Sequence, residues 1–174
     1  MDYKNLDKKT REVMIEEILY DIQNNKLYIS PRLSSVGIAD YPQLLQEAAQ
    51  NGDDTSMASQ LSVNERLNLM ESRRTSKGEI ISAKIPSNAA ETLASGEFNR
   101  FYIRALCRIA IDNGTQVIVY RARQSSNPRI ESESKIGSSV DPTILLNDLR
   151  NNIGIDTFLH LPPGPNSGLS VHLP

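Results

Sequence analysis

The stretch whose residue types and spacing come nearest to doing chemistry is Glu131-Ser132-Glu133-Ser134-Lys135. With an upstream carboxylate such as Asp112, Glu133 and Lys135 supply the parts of a metal-assisted cleavage. The carboxylates would hold magnesium and the lysine would steady an attacking water. The setting argues against this use, because such a triplet works from a strand and this one lies in a serine-rich run, residues 124–139, that reads as a long surface loop. His160 and His172 both fall near the C-terminus without a His, Cys or carboxylate at metal-ligand spacing. Cys107 sits within a helical pattern close to its apolar side, where a thiol is packing. No GxSxG, GxxxxGK[ST] or GxGxxG is present. The sequence therefore assigns no catalytic residue, no metal site and no cofactor, and the chain reads as non-enzymatic.

Charge offers a second kind of site. Between residues 97 and 129 there are six arginines, Arg100, Arg104, Arg108, Arg121, Arg123 and Arg129, against two acids, Glu97 and Asp112. The first three step by four and so stack along one side of a helix, while Arg121 and Arg123 share one side of a strand. Arginine at every position favours bidentate, partly desolvated contacts over a diffuse polycation. These six residues are the expected interaction surface. Its partners are expected to be protein subunits first and nucleic acid second. A nucleic-acid site would add exposed aromatics, whereas Phe98, Phe101 and Tyr102 follow the apolar stripe of the same helix.

Those arginines must be held by an amphipathic helix that stops at a glycine and returns as a strand, residues 96–123. Upstream, Met14, Ile15, Ile18, Leu19 and Ile22 recur at helical spacing. Residues 26–30 read as a short strand or extended arm ended by Pro31. Asp40 and Pro42 read as the start of a second helix, and Asp53 and Asp54 as the cap of a third. Residues 71–85 are polar and lack a helical period, although Ile80-Ile81 hints at a brief strand. Asn88 and Glu91 have capping-box spacing, Ser95-Gly96 could interrupt the helix that follows, and Asp141-Pro142 opens another. The tail, LPPGPNSGLSVHLP, should be extended and turn-rich. The expected organisation is an N-terminal helical unit over 1–70, a linker over 71–85 and a C-terminal unit over 86–174 with an extended tail. The expected fold class is α+β, helix-dominated, with a few short strands.

With 19 basic and 21 acidic residues the net charge is −2, so no global field favours nucleic acid or membrane. A single cysteine excludes an internal disulfide framework and suits a reducing compartment. The opening residues are too polar for a secretory signal, and no apolar run approaches the length of a membrane span. The expected setting is cytoplasmic, without membrane contact. The segments EFNRFYIRALCRIAI, VIVYRAR, NPRIESESKIG and LPPGPNSGLSV resemble small bacteriophage and prophage structural proteins. The resemblance implies a virion head or neck component that packs against other subunits and has no active site. The alternative is a nucleic-acid binding protein or metal-dependent nuclease using the arginine-rich helix and strand.

Overall fold

A computed structural model describes residues 1–124, 130–154 and 168–174. Among them are six helices and five short strands in two small antiparallel sheets, a helix-dominated α+β fold. Helix α1 (Lys8–Gln23) starts where the Asp7 carboxylate accepts from the Thr10 amide at 2.8 Å. Residues 26–30 form no strand. The chain instead reaches an isolated bridge between Leu33 and Leu67. Helix α2 (Ser35–Asn51) begins earlier than Asp40, because the Ser34 hydroxyl caps the Gly37 amide, and Pro42 lies inside the helix. The short α3 (Asp54–Leu61) has a reciprocal capping box between Asp53 and Ser56.

Residues 71–85, expected as a polar linker, hold regular structure. They belong to a hairpin of β1 (Met70–Arg74) and β2 (Ile80–Lys84), paired from Met70↔Lys84 to Arg74↔Ile80. The Thr75-Ser76-Lys77-Gly78 turn closes it. Gly78 takes a left-handed φ of 86° and donates to the Thr75 carbonyl at 2.9 Å, and the Thr75 amide donates to Glu79 at 2.8 Å.

Helix α4 (Ala89–Asn113) runs unbroken through Ser95-Gly96 for 25 residues, about 37 Å at 1.5 Å per residue. The expected Asn88–Glu91 box is absent, for Asn88 makes no side-chain cap. The helix ends as read from the sequence, on Gly114 in the left-handed conformation. It is the axis of the molecule. Phe98, Phe101, Tyr102, Leu106 and Ile109 are buried with Met14 and Ile18 of α1, Leu45 of α2 and Met57 and Leu61 of α3. The same core continues into Val117 and Val119 of β3 (Val117–Arg121), Leu145, Leu146 and Leu149 of α6 (Pro142–Asn151), and Leu169 and Val171 of β5 (Leu169–His172). Residues on both sides of the hairpin thus share one core. Each large apolar side chain buried there contributes about 1.5–3 kcal/mol.

The second sheet has the order β4-β3-β5, with β4 being Ser139–Val140. The expected loop over 124–139 holds, in its described part, a single helical turn, α5 (Ile130–Glu133), and the first residue of β4. The end of the expected tail is a paired strand, with Val119↔Val171 and Arg121↔Leu169 in register. Its remainder falls in 155–167, outside the described residues.

Candidate functional site

Four of the arginines singled out by spacing are drawn into the molecule. Arg104 is 1% exposed, with Nε 2.8 Å from Glu17 and Nη1 and Nη2 on the two oxygens of Asp21 at 2.6 and 2.8 Å. Arg108 reaches Glu16 at 2.8 Å and Glu17 at 3.3 Å. Arg100 is buried beside Glu97 at 3.4 Å and donates to the Leu149 and Asn152 carbonyls at 3.3 and 3.0 Å. Arg121 pairs with Glu133. Arg123 is exposed and lies 3.5 Å from the Ser95 hydroxyl. Arg129 lies outside the described residues. The expected Arg100–Arg104–Arg108 surface is therefore a seam between α4, α1 and α6, buried at Arg100 and Arg104 and half-exposed at Arg108, completed by Arg150 on Glu17. The reason is legible in α1: Glu17 and Asp21 are four residues apart, so their carboxylates stack on the side that meets α4.

The electrostatics follow from this packing. Burial alone would push the Glu17 carboxyl up, but hydrogen bonds from Arg150 and the charge of Arg104 outweigh it and hold it below the ordinary carboxylate value. At Glu97 burial wins over Arg100, and its carboxyl is raised. Removing one member of such a buried set leaves uncompensated charge and costs about 3–5 kcal/mol. The seam orients three helices.

The residues whose types suggested chemistry are not gathered into a site. Glu133 is engaged by Arg121, Glu131 is exposed, and the two share one helical turn, where residues two apart diverge. Asp112 is exposed at the far end of α4. Among the described residues no three His, Cys, Asp or Glu side chains are grouped to hold a metal. Cys107 is buried as expected, which raises its thiol well above the ordinary range. His172 lies in β5, with Nδ1 2.6 Å from the Leu173 carbonyl, and His160 is outside the described residues.

The surface that stands out was not among the sequence candidates. The β1–β2 hairpin is tied to the body at its root. Arg32 Nε meets Glu71 at 2.7 Å, and the Asn68 amide donates to the Arg32 carbonyl at 2.9 Å. Cross-strand partners share a face. One face carries Glu71, Arg73, Ile81 and Ala83, with Glu71 and Ala83 half-buried. The other carries Met70, Ser72, Arg74, Ile80, Ser82 and Lys84, all exposed, Ile80 at 72%. Leu69, just before it, is 85% exposed. Two apolar residues and two cations without an acid thus lie open on a two-stranded ribbon. A ribbon of that kind is marginal in water by itself. Its sequence signal was the turn TSKG ahead of Ile80-Ile81. The signal was weak because neither strand has one consistently apolar face.

Compared with protein-family models, curated proteins and solved structures, the chain matches none of them. No helix among the described residues is long and apolar enough to cross a membrane.

Proposed function

We propose that this protein is a non-enzymatic structural or assembly component that packs against other subunits of a larger complex, of the kind that builds a phage head or neck. The observation that carries the reading is the β1–β2 hairpin, an arm whose Met70, Arg74, Ile80 and Lys84 face solvent together. Exposed apolar side chains on an open-edged ribbon are what a neighbouring subunit covers. The phage setting is supported by the resemblance of the α4–β3 text, and it would place the protein in the cytoplasm or the virion. A nucleic-acid reading through Arg100, Arg104 and Arg108 has less support, since those guanidinium groups are occupied by Glu97, Glu17, Asp21 and Glu16.

The experiment compares wild type with a chain in which residues 71–83 are replaced by a short glycine-serine turn. Met70 and Lys84 are already cross-strand neighbours, so a short turn joins them, and in the body Arg32 loses its Glu71 partner. Light scattering is measured on each protein alone and mixed with the products of adjacent genes. Assembly by wild type and its loss in the shortened chain are expected. A wild type that stays monomeric and binds none of those products would sink the proposal.

A further inference from the structure

We infer that the open face of the arm docks on the surface formed by residues 130–144 of a second copy of this chain, in a head-to-tail contact. The inference rests on the assembly reading above and names the partner. Three observations point to it. The first is charge: residues 70–84 carry four basic and two acidic side chains, and residues 130–144 carry three acidic and one basic, of which Glu133 pairs with Arg121 and leaves Glu131 and Asp141 against Lys135. On the open face the balance is sharper, because Glu71 lies on the other face, held by Arg32 and Arg73.

The second is apolar content at both ends. Met70 and Ile80 are exposed on the arm, and Ile130, Ile136 and Ile144 are exposed along 130–144, Ile144 at 69%. Glu131 and Asp141 are exposed among these isoleucines. The mixture suits a protein ribbon carrying both features better than a phosphate backbone, which would leave Ile80 and Met70 uncovered. The third is the sheet itself. In the order β4-β3-β5, β4 is an outer strand among the described residues, and the segment containing it is the one that carries the complementary charge. Arm and surface are both exposed in the same molecule, so each chain offers one of each. Such a heterologous contact closes into a ring or continues as a filament.

The test is sedimentation velocity over a range of concentrations on four samples. These are wild type, an arm variant (Arg74→Ser with Lys84→Ser), a variant of the other surface (Glu131→Gln with Asp141→Asn), and an equimolar mixture of the two variants. Asn at 141 keeps the oxygen that caps α6 by accepting from the Thr143 and Ile144 amides. Wild type is expected to form concentration-dependent species larger than a dimer, and each variant alone to remain monomeric. The mixture should give a 1:1 heterodimer and nothing larger, because only one intact arm and one intact surface remain. Circular dichroism and thermal unfolding confirm that the variants are folded; should one fail, Ile80→Ser or Ile144→Ser replaces it. Self-association undiminished in both variants overturns the docking pair and leaves the assembly reading standing. A monomeric wild type whose arm binds an adjacent-gene subunit overturns the second copy as partner, again leaving that reading. A salt-sensitive DNA or RNA gel shift lost in the arm variant, without self-association, overturns both.

Discussion

Arg104 is the largest side chain buried to below 2% exposure among the described residues. Its guanidinium is buried and shared between Glu17 and Asp21, so it joins α4 to α1, and Arg150 joins α6 to the same Glu17. Replacing Arg104 by Met should lower stability by about 3–5 kcal/mol in urea unfolding, because buried Asp21 loses the guanidinium on both its oxygens and Glu17 loses one of its arginines. Arg104→Glu would unfold the protein and says nothing about a surface. The acid limb belongs to Glu17. Its folded-state pKa is depressed, so its contribution is complete above the unfolded value near 4.5 and is lost as pH falls through the lower folded value. Wild type should therefore exceed Glu17→Gln in stability at pH 7, and the gap should close as the solution is acidified below about pH 4. A gap independent of pH would show that Glu17 is not ionised in the seam.

Two elements near the ends of the readable pattern behave in opposite ways. The arm adds little to the body, so replacing residues 71–83 should move the melting temperature by no more than about 4 °C, corresponding to about 1 kcal/mol. Strand β5 is integral: Leu169 and Val171 are buried in the core, and Leu169→Ala should cost about 2–5 kcal/mol. Removing residues 168–174 would thus break the fold. The sequence made α1, α4 and α6 legible, since their apolar residues recur with the helical period and their stops are glycine or asparagine. It did not reveal β5, where a single buried strand follows a run of prolines and glycines. Nor could charge spacing separate a surface from a seam. Arg100, Arg104 and Arg108 keep the same spacing in either case, and only the position of Glu17 and Asp21 across the helix pair decides between them.

At the scale of the whole molecule, a core built around α4 leaves one projecting ribbon. The body is closed by N-terminal contacts as well: Tyr3 packs against Phe98 and Tyr102 at 5.0 and 4.8 Å between ring centres, and the Tyr120 hydroxyl donates to the Asp2 carbonyl at 2.6 Å. Among the described residues the arm, like the run 130–144, carries exposed apolar side chains that another molecule can cover. Hydrogen exchange followed segment by segment, in dilute protein and in the assembled state, tests this most directly. Amides of residues 70–74 and 80–84 should exchange quickly in the monomer and become protected on assembly, while those of α4 stay protected throughout. Arm amides that exchange at the same rate in both states, with assembly confirmed in the same samples, would contradict the account.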